Sequence, residues 1–421
     1  MKYRLLLLMS ALAVLCACED KLVFGEGYQM SVKEDEPQVE KTENHVYVAG
    51  QDGHIYFRIP ALIETKSGIL LAFCEARNTN ADFYKGNESL FPTVPTGGSS
   101  KDNGDIDLVV KASRDGGKTW GKMSVIVDDK SNTCGNPCPV VDEATGRIHL
   151  FWCWQQFSTL DSEMYPVLPA DGHTRRVLYS WSDDDGVNWS SPQDLTTLVK
   201  KNDWQWYATG PCHAIQVKTG QYKGRLVIPC DHRDNNNTDN YSHCLWSDDN
   251  GANWHLGGST TLGGNESCIA ELSDGSLLMN VRTIGLSKSN RASAISSDGG
   301  QTWSPLSVND ELLDPGCQGS VINVFVDGKP TSTLLLSNCH DSIRSRMSIS
   351  KSVDDGASWV TGYTAWSGRA AYSDLCQLSD GSIALFYENG FGMFGRAYPN
   401  ERITFLRLPK DSAKKALGIY E

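Results

Sequence analysis

The chain has 421 residues, with 38 Lys and Arg against 51 Asp and Glu, for a formal net charge of −13. That balance argues against a duplex nucleic-acid partner, whose phosphates need a basic footprint, and against a polybasic membrane anchor. A hydrophobic share of 40% with 39 Gly and 12 Trp describes a folded chain of many tight turns, so an all-β architecture is expected.

Residues 1–17 read as a signal peptide. Lys2 and Arg4 precede an apolar run from Leu5 to Leu15, which is too short to span a bilayer. Leu15-Cys16-Ala17-Cys18 resembles a bacterial lipoprotein box with Cys18 as the lipid-bearing residue, and plain cleavage is the alternative. The expected location is the outer membrane or cell surface, otherwise the periplasm or the medium. Residues 18–45 are polar and acidic and read as a flexible tether. Of the 13 Cys, those beyond Cys16 and Cys18 sit mostly in apolar runs and read as small buried residues. A disulfide or two stays open. No Cys/His pair shows zinc-ligand spacing, so no metal and no cofactor is assigned.

From 46 to 409 the chain repeats. The pattern Ser-x-Asp-x-Gly-x-x-Trp occurs five times, at 113–120, 182–189, 247–254, 296–303 and 352–359, each time after a β-rich run. The Asp can accept hydrogen bonds from nearby amides and lock a turn. The Gly permits positive φ, and the Trp closes the turn onto the sheet. Recurrent units of about 60 residues, each a few strands and a clamped turn, spell a β-propeller. The length fits six blades, one of them without a clamp. Residues 410–421 are left as a C-terminal tail.

Several polar residues stand where blade strands should be apolar. They are Arg58 in IYFRIPALI, Glu75 and Arg77 ending LLAFCEAR, Glu266 before SCIAEL, and Arg282 ending SLLMNVR. Arg344 and Arg346 follow before the last clamp, then Tyr372 and Glu388. Buried charges need partners. Arginines converging on a propeller axis would grip an anion, and a guanidinium fork suits a carboxylate.

With FRIP at 57–60 and five Asp-boxes, the sequence resembles the bacterial exo-sialidases, or neuraminidases. Further matching segments are GNPCPVVDEATGRI (135–148), TGPCHAIQV (209–217), NESCIAELSDGSLLMNVR (265–282) and AYSDLCQLSDGSIALFYE (371–388). The resemblance covers about 46–409 and implies a six-bladed sialidase propeller that removes terminal sialic acids from glycoproteins, glycolipids or oligosaccharides. It implies that Arg58, Arg282 and Arg344 bind the substrate carboxylate, with Arg346 the alternative third member. Those two lie at i and i+2, so strand alternation alone cannot separate them. Glu388 would brace the first arginine. Glu75 and Arg77 would lie at the pocket rim, with Arg77 near a substrate hydroxyl.

Tyr372 would be the nucleophile and Glu266 its base. A neutral phenol avoids the repulsion that a carboxylate would meet beside the anomeric carboxylate, and sialidases with a Tyr nucleophile are a known exception among retaining glycosidases. The acid/base would be Asp102, with Asp82 the alternative and Asp105 and Asp107 further off. Its pKa is expected to be raised. Residues 78–101 form an insertion that reads equally as a lid or a surface loop. Two other outcomes stay open: an intramolecular trans-sialidase or a relative preferring a deaminated sialic acid, and a catalytically inactive glycan-binding propeller.

Overall fold

The computed structural model describes residues 39–78, 102–157, 174–234, 238–286, 289–390 and 399–420. The expected signal peptide, Cys18, Asp82 and nearly all of the 78–101 insertion lie outside these residues. The strands pair antiparallel within six blades among the described residues, five of four strands and the third of five. The first blade takes Tyr56–Glu64, Leu70–Arg77, Ile106–Ser113 and Ser124–Val127. The second takes Thr133–Val141, Ile148–Gln155, Arg176–Ser182 and Gln193–Asp194. In the third, Trp204–Thr209 and Ile215–Gln216 both pair with Leu226–Asp234, followed by Asn240–Ser247 and His255–Ser259. The fourth takes Gly264–Glu271, Leu277–Thr283, Asn290–Ser296 and Ser307–Leu313.

The fifth blade runs Ser320–Val326, Lys329–Cys339 and Ser345–Ser352, and it borrows the first half of the long strand Val360–Gln377. The second half of that strand opens the sixth blade, which continues with Ile383–Gly390 and Arg402–Leu408. Its fourth strand is Thr42–Val48, brought from the N-terminal end to pair with Arg402–Leu408. Strand structure therefore begins at Thr42 rather than at 46, so the last residues of the expected tether are strand.

The clamps explain themselves in this layout. Each lies between the third and fourth strands of blades one to five. In the sixth blade those two strands come from opposite ends of the chain, so there is no turn to clamp. In the first clamp the Ser113 hydroxyl donates to Asp115 Oδ1 at 2.8 Å and accepts the Gly117 amide at 2.9 Å. Asp115 Oδ1 also accepts the Thr119 amide at 2.9 Å. The same three bonds recur at Ser182, Ser247, Ser296 and Ser352. The residue before the Gly is Gly116, Asp185, Asn250, Gly299 or Asp355, and all five hold positive φ. These are the types that tolerate the left-handed region. At Gly117 a Cβ would stand 2.0 Å from the Phe405 ring of the sixth blade, so that glycine also sets blade-to-blade distance.

The core is annular. Six apolar clusters fill the six junctions between neighbouring blades, from Phe73, Leu108 and Trp152 between the first and second to Phe57, Leu62, Phe386 and Phe405 between the sixth and first. The C-terminal tail is not free. Lys410–Leu417 forms a helix, and Ala413, Leu417 and Ile419 are buried against the fifth and sixth blades. Among the described residues no helix is long and apolar enough to cross a membrane, and the eleven cysteines found there carry no disulfide.

Candidate active site at one end of the propeller axis

First strands begin, and second strands end, on the same face of a blade. Arg58, Glu266 and Tyr372 lie on first strands, and Arg77, Arg282 and Glu388 at or near the ends of second strands. The topology thus gathers them at one mouth of the axis from three blades.

Tyr372 is at the centre. Its hydroxyl donates to Glu266 Oε1 at 2.6 Å and accepts Arg282 Nη1 at 3.2 Å. The same Arg282 nitrogen donates to Glu266 Oε2 at 2.8 Å. The Arg58 and Arg344 guanidinium carbons stand 4.8 and 5.5 Å from the centre of the Tyr372 ring. Burial pushes the phenol well above its ordinary value, the Glu266 charge adds to that, and the three arginines oppose it. The resting tyrosine is therefore a neutral phenol. Arg282 Nε is buried and has no hydrogen-bond partner among the described residues.

Glu388 is fully buried and fixes the first arginine. Its carboxylate accepts Arg58 Nε at 3.1 Å and Nη2 at 3.0 Å, and also the Ile59 amide at 2.8 Å. Ile59 holds φ +62, and the strand bulges between Arg58 and Ala61. That bulge turns the amide of Ile59 and the side chain of Arg58 toward one carboxylate. The Tyr372 amide donates to the same group at 3.3 Å.

Backbone shape separates Arg344 from Arg346. Arg346 holds φ +55 at a bulge between Ser345 and Met347. Alternation therefore fails there, and Arg346 stands by His340 and Asp341 while Arg344 faces Tyr372.

The expectations for Glu75, Arg77 and Asp102 need correction. Arg77 is 2% exposed, so it is not a rim residue. It bonds Glu75 through Nε at 2.8 Å and also through Nη2, which donates to Asp102 Oδ1 at 3.0 Å as well. Glu75 in turn accepts the Asn136 amide at 2.8 Å. Arg77 is thus a strut under Asp102. The Asp102 side chain is 64% exposed and lies 4.0 Å from Arg58 Nη1. Desolvation would raise its carboxyl, but Arg77 and Arg58 outweigh that and hold it at about 2. The expected raised value is reversed in the free protein. Asp107 is buried by His54, and the Asp105 carbonyl accepts the Asn78 amide.

One buried network was not foreseen. Asp231 Oδ2 accepts Trp206 Nε1 at 3.0 Å and Asn265 Nδ2 at 3.1 Å. Its carboxyl is pushed up to about 7 by burial and by the Glu266 charge. Arg175 stacks over Trp206 at 4.2 Å and donates to the Tyr207 carbonyl, Gln155 and Asn136. The signal was available: Asp231 lies in the second strand of its blade, in IPCDHRD, toward the end where Arg77, Arg282 and Glu388 sit in theirs.

A ring of blades whose turns are closed by Asp-boxes is a BNR-type propeller. The model of the BNR repeat-like domain matches residues 94–385. A sialidase of Micromonospora viridifaciens is 30% identical over 87% of this chain and 54% of its own length. An exo-alpha-sialidase of Aspergillus fumigatus is 31% identical over 72% of this chain and 68% of its own. Among solved structures, a Hadza microbial sialidase superposes with a TM-score of 0.73 at 27% identity, covering 88% of this chain and 68% of that one. The chain belongs to the sialidase family. It spans little more than half the length of the Micromonospora protein.

Proposed function

We propose that this protein is an exo-α-sialidase that hydrolyses terminal sialic acids from glycoconjugates with retention of configuration. The observation that carries the reading is the Tyr372–Glu266 hydrogen bond of 2.6 Å within a ring of three arginines. Arg282 is paired with Glu266, but among the described residues Arg344 meets only the Gly316 carbonyl, at 3.1 Å, and has no carboxylate comparable to the one Glu388 gives Arg58. A substrate carboxylate fills that role by charge-assisted bonds.

In the first step the Tyr372 oxygen attacks the anomeric carbon while its proton passes to Glu266. Arg282 Nη1, already on both groups, stabilises the charge that develops on the phenol oxygen. The glycosidic bond breaks, and Asp102 gives a proton to the leaving oxygen. In the second step Asp102 takes a proton from water, the water oxygen attacks the same carbon, the bond to Tyr372 breaks, and Glu266 returns the proton. Two inversions give retention. Asp102 must carry a proton at the start. A bound substrate carboxylate shares the Arg58 charge that keeps Asp102 ionised and covers its exposed face, and both effects raise its pKa.

The test is release from a fluorogenic sialoside with the product identified by mass spectrometry. Free sialic acid supports the reading. An anhydro sugar assigns intramolecular transfer instead, and no release from the wild type leaves a glycan-binding propeller. The exported lipoprotein reading of Cys18 rests on residues 1–18 alone. It is tested by labelling with a fatty acid in cells, which Cys18→Ala should abolish.

A further inference from the structure

We propose that Cys212, His213 and Cys268 form a binding site for a thiophilic d10 cation, Zn2+ by the mixed S and N donor set, deep on the propeller axis beneath the Tyr372 mouth. One ligand atom from each of the three residues lies within 4.8 Å of the other two. With Zn–S about 2.3 Å and Zn–N about 2.0 Å, closing on an ion needs shifts of about 1 Å or less. Two sulfurs and one imidazole leave a fourth position for water, a coordination that zinc accepts.

Four further observations fit a built site. Both cysteines are fully buried, and their sulfur contacts are long: Cys212 reaches the His213 and Ser267 carbonyls at 3.5 and 3.9 Å, and Cys268 the Val321 carbonyl at 3.5 Å. Cys212 holds φ +129, where glycine is the low-cost residue, so a thiol is kept there against backbone preference. His213 Nδ1 is bonded to Asp374 Oδ1 at 2.6 Å, the carboxylate–histidine pairing that orients a ligand ring. Asp374 is itself held by the Leu62 amide at 2.8 Å, the His213 amide at 3.0 Å and the Ser320 hydroxyl at 2.8 Å, so two more blade segments, those of Leu62 and Ser320, steady the ring. His213 lines a cavity of about 760 Å³, with Glu64 and Glu271 on its wall, at the end of the axis opposite Tyr372.

Local spacing hides the group. Cys212 and His213 are adjacent, and Cys268 comes from the next blade. The proposal does not depend on the sialidase chemistry, and its readout is metal rather than turnover. On binding, each thiol gives its proton to solvent and the thiolate takes the ion, so affinity rises with pH.

The experiment uses the full chain, reduced and stripped of metal, dialysed against Zn2+ and then against Co2+. One Zn2+ per chain and a thiolate-to-cobalt charge-transfer band are expected for the wild type. Cys268→Ser and His213→Gln should each weaken Zn2+ by more than about tenfold, and Cys153→Ser, a buried thiol elsewhere, should leave it unchanged. The wild-type cobalt spectrum decides even if a variant fails to fold. Absence of the band, a band that survives in Cys268→Ser, or a Cys212–Cys268 disulfide in the unreduced peptide map overturns the proposal.

Discussion

Glu388 holds Arg58 by two parallel hydrogen bonds, at 3.1 and 3.0 Å, from a fully buried position. Replacing it by Gln removes the charge but keeps the shape. Glu388→Gln should lower kcat/KM by about 10–100-fold, since Arg58 loses its bidentate anchor. It should also cost about 3 kcal/mol of stability, because a buried guanidinium loses its counter-charge. Steady-state kinetics and urea midpoints check both, and an unchanged kcat/KM would remove Arg58 from the site.

Tyr372→Phe keeps the ring under Arg58 and Arg344 but loses the nucleophile. Hydrolysis should drop to near background while stability falls by about 1–3 kcal/mol, the worth of the two hydrogen bonds with Glu266 and Arg282. Glu266→Gln should cost about 10²–10⁴-fold. If Tyr372→Phe keeps more than a tenth of the wild-type rate, given that such groups normally contribute about 10²-fold or more, the nucleophile is misassigned.

Asp102→Asn should slow release of a sugar leaving group far more than of an activated phenol, which needs little protonation. Asp82→Asn should leave both rates near wild type. The opposite pattern moves the acid to Asp82.

Gly117→Ala places a methyl 2.0 Å from Phe405 at φ +87, while Gly53→Ala, at φ +81, meets open space. The second should cost only the left-handed penalty, about 1–2 kcal/mol. The first should cost clearly more, because two blades must part. Equal urea midpoints for the two variants would show that this contact does not set blade spacing.

His149 and His232 are buried, and burial lowers their pKa from 6.5 to about 4 and about 3. Below 6.5 the unfolded chain takes up protons that the folded chain refuses. Their contribution is whole above 6.5 and is lost as pH falls toward 4, by about 1.4 kcal/mol per unit for each group. Urea midpoints taken from neutral to about pH 5 should fall, and His149→Asn should make the fall shallower. A midpoint that holds steady over that range contradicts the buried neutral state.

How much was legible follows from what each signal depends on. The clamps were readable because turn chemistry is local: Ser113, Asp115 and Gly117 bond within five residues of one another. The Tyr372, Glu266 and Glu388 positions came with long matching segments. What failed needed backbone or distance. Arg344 and Arg346 could not be separated because the positive φ of Arg346 leaves no mark in the alternation. The buried state of Arg77 depends on Glu75 and Asp102, and the latter arrives from another strand. The absence of a sixth clamp had a topological cause, the N-terminal strand, that no spacing count contains.

That strand has a mechanical consequence. A pull on the chain ahead of Thr42 loads the pairing of Thr42–Val48 with Arg402–Leu408. Behind Arg402–Leu408 lies the strand of Glu388, and behind that the strand of Tyr372. Tension at the leading end is therefore delivered, through two further sheet neighbours, to the pair of residues around which the pocket is built.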